Sequence, residues 1–350
     1  MPALAPKSSR PVEKADATRE NLRKSLLFWY DRNGRTMPWR VRGGRGDAYK
    51  VWLSEIMLQQ TTVAAVVPYF ARFIEKWPTV ADLAAAPRDE LLAAWAGLGY
   101  YARARNVHAA AQRLAADGFP PDEAGWRSMP GVGPYTAAAI AAIALDEATN
   151  VVDGNVERVM ARLYAVEAPL PEAKPELREL AGALVTAKRP GDWAQALMDL
   201  GATVCTPRSP DCGACPWRSM CAAYANGAPE TYPRRVAKAA RPERFGAVFR
   251  IVRDDGALWL VRRPDGGLLG GMAALPTTEW GAKKLSRAQV LKAAPVATKW
   301  KHVGEVRHVF THFALSLDVY ETRAQPEGEG WWAGASALPT VFKKAAALGS

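Results

Sequence analysis

Outside residues 205–221 the sequence has no cysteine at all; the chain's four thiols, Cys205, Cys212, Cys215 and Cys221, all fall inside CTPRSPDCGACPWRSMC. A disulfide scaffold spreads its cysteines to staple distant loops, so that class is excluded. Long apolar runs are also missing. No segment approaches eighteen consecutive apolar residues, which argues against a membrane span. The first twenty residues, MPALAPKSSRPVEKADATRE, hold no apolar run of signal-peptide length and read as a mobile tail over 1–18. Nor is there a block of one charge. The formal charge of +11 comes from Lys and Arg spread along the chain, a balance compatible with a polyanionic partner, above all nucleic acid.

What is present begins with that thiol cluster. Its spacing is C-x6-C-x2-C-x5-C. Four thiolates on one short loop suit a metal, and both tetrahedral zinc and an iron–sulfur cluster are compatible with them. Upstream, residues 19–224 read as successive helices punctuated by Gly and Pro. RENLRKSLLFWYDRNG is amphipathic and ends at Gly34. DAYKVWLSEIMLQQTTVAAVVPYFARFIEKW is one long apolar pattern interrupted by Pro68. Residues 225–243 are rich in Pro, Gly and basic residues and read as a linker. Beyond it the pattern turns strand-like. AVFRIVRDDGALWLVRR is expected as a hairpin around Asp255-Gly256, and VRHVFTHFALSLDVYE as one long alternating strand. A smaller α+β domain over 244–345 is expected.

Three places carry chemistry. In MPGVGPYT, Gly131, Val132 and Gly133 precede a helix opened by Pro134, a turn whose backbone N–H groups are suited to a phosphate oxygen. In VWLSEIMLQQTT, Glu55 sits within an apolar helical stretch, where desolvation raises a carboxyl pKa as a general acid requires. In ATNVVDGNVERVMARL, Asp153 opens a helix as an N-cap and stays ionised. One carboxyl poised to give a proton and one held negative are what glycosidic bond cleavage through an oxocarbenium-like transition state needs.

The cysteine spacing at the end of a helical domain, with the Gly-rich turn some seventy residues before it, resembles the endonuclease III superfamily of helix-hairpin-helix base-excision glycosylases. The resemblance is closest to adenine DNA glycosylases of the MutY type. Its pieces are MPWR at 37–40, SEIMLQQT at 54–61, GLGYYARARN at 97–106, MPGVGPYT at 129–136, VVDGNVERV at 151–159, MDLGATVC at 198–205, the cysteine loop, and VFTHF at 309–313. It implies a mainly α helix-hairpin-helix glycosylase domain with a [4Fe–4S] loop at 205–221, followed by a Nudix-like 8-oxoguanine recognition domain. It implies removal of adenine mispaired with 8-oxoguanine or guanine in duplex DNA, by a monomer in the bacterial cytoplasm, associated with the nucleoid. Glu55 would protonate adenine at N7, and Asp153 would stabilise the sugar cation through a covalent acetal, with Tyr135 and Asn155 assisting. Arg35, Trp39, Leu58, Val63, Gln195 and Met198 would line the adenine pocket. Gln60 and Tyr100 would enter the base stack, Thr61 and Leu98 would lie near the 8-oxoguanine, and Phe310, Thr311 and His312 would recognise it. Arg208 and Arg218 would reach phosphates from the cluster loop.

Departures from the pattern matter too. Endonuclease III-type enzymes place a lysine in the GVG-x-K-T turn for Schiff-base chemistry; here the turn reads GVGPYT, so Tyr135 predicts base removal without strand cleavage. Thr311 stands where the family has Ser, and GLLGGMAALP lacks the family's Trp-Glu pair. The sequence has no GX5EX7REUXEEXGU box, so pyrophosphohydrolysis is not expected of the second domain. An oxidised-pyrimidine glycosylase/lyase and a catalytically silent lesion-binding protein are the competing readings.

Overall fold

The computed structural model describes residues 10–236, 241–264, 267–310, 312–326 and 328–349, with side chains from residue 17 onward and not at 337. The chain divides into two compact units, Met1–Ala237 and Lys238–Ser350.

The first unit is helical. Helices α1 (Arg10–Asn33), α2 (Ala48–Leu58), α3 (Val63–Lys76), α4 (Val80–Ala85), α5 (Arg88–Trp95), α6 (Tyr101–Asp117), α7 (Glu123–Arg127) and α8 (Pro134–Leu145) are followed by α9 (Gly154–Leu163), α10 (Lys174–Gly182), α11 (Pro190–Asp199) and a short α12 (Ala222–Ala225). They build two cores. One joins α2 to α8 around Trp52, Phe73, Trp95, Trp126 and Ile140. The other joins α1 to α9–α11 around Leu26, Met160, Leu177, Trp193 and Trp217. Each large side chain so buried contributes roughly 1.5–3 kcal/mol. Alanines let α8 pack closely: every residue from Thr136 to Ala144 is buried.

Three expectations need correction here. Helix α1 starts at Arg10, inside the stretch expected as a tail, and residues 1–9 lie outside those described. The break in the long apolar pattern falls at Gln59–Thr62, where Thr62 caps α3 by accepting from Ala65 N (3.4 Å), and Pro68 lies inside α3. Pro68 and Ala64 both face solvent, so the carbonyl that Pro68 cannot satisfy is left to water. The expected linker is half structured as well. Tyr232 is 3% exposed, and Leu170 N donates to Arg234 O (2.9 Å), so residues up to about 235 belong to the helical unit.

Among the described residues, the second unit holds two three-stranded sheets. Strands β1 (Glu243–Ile251), β2 (Leu258–Arg262), β3 (Ala273–Ala274), β4 (Lys301–Val309), β5 (Ala314–Thr322) and β6 (Trp331–Ala333) are ordered β1-β5-β4 and β3-β2-β6, with helices α13 (Arg287–Lys292) and α14 (Thr340–Ala346). The turn at Asp255-Gly256 forms, but its strands part into different sheets and share one bridge, Val252 with Leu258. Strand β1 instead pairs in parallel with β5. The long strand expected over 306–321 is a hairpin. β4 and β5 pair antiparallel, and Phe310 N donates to Phe313 O (2.9 Å) across its tip.

Candidate functional site

Helix α2 carries the first carboxyl. Asp47 caps its start, and residues Val51–Met57 are buried without interruption, so the helix has no solvent side onto which Glu55 could turn. Glu55 is 6% exposed. Burial pushes its carboxyl from an ordinary 4.5 up to about 7. A hydrogen bond with Tyr135 and the charge of Arg40 pull the other way, and the charge of Asp153 adds to the rise.

Glu55 opens into a partly enclosed cavity. Arg35, Trp39, Leu58, Val63, Gln195 and Met198, the residues expected around adenine, all line it, together with Tyr135. So do Met37, Arg40, Val51, Ser54 and Ile143, which were not singled out in the sequence. Tyr135, in the first turn of α8, donates its hydroxyl to Met198 Sδ (3.1 Å); burial and the carboxylates of Glu55 and Asp153 hold it protonated. Arg35 and Arg40 are fastened by one buried carboxylate. Asp199 Oδ1 accepts from Arg35 Nε (2.7 Å) and Arg40 Nη2 (2.8 Å), and Oδ2 from Arg40 Nη1 (2.7 Å) and Arg35 N (2.8 Å). Asp199 is fully buried, and these charge-assisted bonds hold its carboxyl below the usual range despite burial.

Asp153 is the N-cap of α9. Its Oδ1 accepts from Asn155 N (2.9 Å) and Val156 N (2.7 Å), and Oδ2 from Asn155 Nδ2 (2.7 Å). Asn155 Oδ1 accepts from Arg158 Nη2 (2.9 Å), whose Nε donates to the Cys205 carbonyl (2.8 Å). The second carboxylate is thus tied by side chains to the cysteine loop. Gly201 makes this possible: a Cβ there would meet Asn155 Cβ at 2.7 Å.

The cysteine loop begins in a π-helical turn, Leu200–Val204, that re-aims the chain where α11 ends. Cys205, Cys212, Cys215 and Cys221 line one cavity. Among the described residues, no group of three or more His, Cys, Asp or Glu side chains is placed to hold a metal ion. Four soft thiolates around a shared cavity fit a multi-iron cluster, whose irons bind the thiolates one each, better than one zinc. Burial pushes the Cys215 thiol up to about 12, so a metal is needed to keep such a group ionised. Arg162, 2% exposed, donates to the Cys205 Sγ (3.3 Å) and to the Thr206 carbonyl (2.7 Å). Arg218 lies over the Tyr224 ring, 5.0 Å from its centroid.

The residues expected to touch DNA cluster on exposed turns. Gly131 has φ +77°, and a Cβ there would meet Asn106 Cβ at 2.8 Å. Its carbonyl accepts from Gln59 Nε2 (3.2 Å), binding the hairpin turn to the end of α2. Val132 is buried and Gly133 caps α8. Gln60 and Tyr100 are exposed and both left-handed, at φ +57° and +51°. Thr61 is half-buried, and Leu98 is buried beneath them. In the second unit Phe310 stacks on Trp280 (6.2 Å, 24°) at the hairpin tip and His312 is exposed. Thr311 lies outside the described residues.

Comparison with known proteins follows the division of the chain. Residues 53–183 match the family model of HhH-GPD superfamily base excision DNA repair proteins, residues 205–221 the iron-sulfur binding domain of endonuclease III, and residues 247–347 the NUDIX domain. Among solved structures, a thermostable thymine-DNA glycosylase superposes with a TM-score of 0.54 at 27% identity, over 61% of this chain and 99% of that one. Fold and site define a helix-hairpin-helix base-excision glycosylase with an iron–sulfur loop. Among curated relatives, the adenine DNA glycosylase of Rattus norvegicus is 38% identical over 85% of this chain and 69% of its own length. That of Mycolicibacterium smegmatis is 41% identical over 65% and 79%. The chain belongs to the adenine DNA glycosylase family.

The cluster gives a direct expectation. Purified protein should be brown with about four irons per chain, and Cys212→Ser should lose the metal and melt earlier. Colourless protein with one stoichiometric zinc would contradict the assignment.

Proposed function

We propose that this chain hydrolyses the N-glycosidic bond of adenine paired with 8-oxoguanine or guanine in duplex DNA, as a monomer working on the bacterial nucleoid. The observation that carries the reading is the buried Glu55, its carboxyl raised by desolvation, in the cavity lined by Arg35, Trp39, Gln195 and Met198, with Asp153 capped at the start of α9. In this reading the cavity seats the adenine, Arg35, Gln195 and Trp39 orient it, and a water adds to the sugar carbon that the departing base leaves, giving its proton to Asp153 or solvent. Glu55 hands its proton to the leaving base, and Asp153 faces the positive charge growing on the sugar. Tyr135 stays neutral and cannot form a Schiff base, so the chemistry ends at base removal. The cluster, when bound, orders the 205–221 loop. Cations such as Arg208 and Arg218 on that loop then meet phosphates. No helix among the described residues is long and apolar enough to cross a membrane.

Single-turnover excision on an A:8-oxoguanine duplex tests the reading. An oxidised-pyrimidine lyase would leave this duplex intact and nick only strands that carry an oxidised pyrimidine, and a silent binder would retain the duplex without releasing adenine. The second unit supplies lesion preference in this scheme, through the hairpin tip at Phe310–His312. A chain ending after Val236, which keeps Tyr232 and the Arg235 bridge in place, should still remove adenine but lose most of its preference for 8-oxoguanine over guanine. An unchanged preference in that truncation would place recognition in the helical unit.

A further inference from the structure

One buried cation remains without a role in the chemistry above. Arg103 lies in the first turn of α6, where the helix dipole disfavours positive charge. It is 7% exposed, and no carboxylate among the described residues pairs with it. Its Nε is buried without a partner. A buried guanidinium on such terms is costly unless its remaining donors are well used.

They converge on two loops. Nη1 donates to the carbonyls of Ile56 (3.2 Å), Met57 (2.8 Å) and Gln59. These carbonyls stand at the end of α2, where the helical ladder runs out; that of Ile56 also accepts from Gln59 N (3.3 Å). Nη2 donates to Thr61 Oγ1 (3.1 Å) and to the carbonyls of Leu98 (2.9 Å) and Gly99 (3.2 Å). Above it, the Tyr100 ring lies with its centroid 5.5 Å from the guanidinium carbon. Gln60 and Tyr100, each exposed and each in a left-handed conformation that costs free energy, are therefore the tips of two loops joined through one side chain.

We propose that Arg103 is the positioning residue that makes these loops one rigid wedge, so that Gln60 and Tyr100 enter duplex DNA together and drive the target base out of the stack. This rests on the reading of the chain as a base-extruding glycosylase. The planar fork is essential to it. A lysine ammonium keeps the charge but cannot span acceptors on both loops. Extrusion is where the loss should appear, because unstacking is the step a wedge assists.

The test compares single-turnover excision from two duplexes, one with A opposite 8-oxoguanine and one with A opposite a tetrahydrofuran abasic analogue, where the adenine lacks a pairing partner. Arg103→Lys should slow the first by about 10- to 100-fold, as expected for the loss of one or two bonds to a charged group, and the second far less. Equal slowing on both duplexes would make Arg103 a general structural residue and overturn the proposal. Should Arg103→Lys fail to fold, Gln60→Ala, Tyr100→Ala and the double variant decide the matter in the native background. A shared wedge predicts that the double variant is little slower than the worse single one, whereas losses that multiply would mean independent loops. A wild-type chain that excises adenine from neither duplex would instead sink the reading of function on which the wedge depends.

Discussion

Glu55→Gln should bind mismatched DNA normally, excise adenine at least about 10²- to 10⁴-fold more slowly, and be more stable than the wild type in alkali. All three follow from burial. The position is sealed within α2 and tolerates a neutral side chain better than a charge, which is why the carboxyl rises to about 7. Between pH 4.5 and 7 the folded protein holds a proton that the unfolded chain has released. Glu55 therefore favours folding most below 4.5, and that contribution is lost as pH climbs through 7. Keeping Glu55 ionised costs the fold about 3 kcal/mol at 1.36 kcal/mol per pKa unit. Glutamine stays neutral and is nearly isosteric, so the variant should gain up to that amount at pH 8 and nothing near pH 4.5. Wild-type excision should fall as pH rises through about 7, and the limb should vanish from any residual activity of Glu55→Gln. Denaturant melts at pH 4.5 and 8 beside single-turnover rates measure all of this. A variant equally stable at both pH values would show that Glu55 is not held in the way its burial implies.

The parts of this site legible in the sequence are those with local signatures. An acid inside an apolar helical period, an Asp opening a helix, a Gly-x-Gly-Pro turn and four crowded cysteines each occupy a few consecutive residues. Six pocket residues carried over by resemblance converge on one cavity, four of them from α2, α3 and α11 and two, Arg35 and Trp39, from the loop after α1. What stayed hidden was long-range pairing. Arg40 and Asp199 are 159 residues apart, and nothing in MPWR or MDLG indicates that one carboxylate fastens both Arg35 and Arg40. Arg158 and Arg162 left a trace, since they repeat four residues apart on the helix that Asp153 opens, but that pattern is equally that of a solvated face. In the second unit, alternation over 306–321 is a true strand signal on both sides of a turn that contains no glycine or proline, so nothing in the sequence marks the hairpin tip. The Asp255-Gly256 turn was also real, yet turn chemistry does not determine which sheet each flanking strand joins.

Asp153→Asn should lose excision by about 10³-fold or more while the fold survives, because the charge and the cap are separable here. The cap uses Oδ1, which accepts from Asn155 N and Val156 N, and asparagine keeps that oxygen. What changes is the other atom. Oδ2 accepts from the Asn155 amide, whose own oxygen accepts from Arg158, which in turn holds the Cys205 carbonyl. The chain runs in one direction, from guanidinium donor to carboxylate acceptor. An NH₂ at position 153 faces the NH₂ of Asn155, and turning Asn155 over sets its NH₂ against Arg158, so one bond is lost wherever the mismatch settles. That costs about 1–2 kcal/mol of stability, a modest fall in melting temperature. The loss of negative charge acts only when the sugar becomes cationic, and it falls on the rate and spares binding. Affinity for an A:8-oxoguanine duplex should stay near that of the wild type, since phosphate contacts supply most of it. Asn155→Ala supplies the comparison: it breaks the same chain but leaves the carboxylate, so it should match Asp153→Asn in melting and retain far more excision. If the two variants lose excision equally, Asp153 acts only through the network it caps, and its charge has no part in the chemistry.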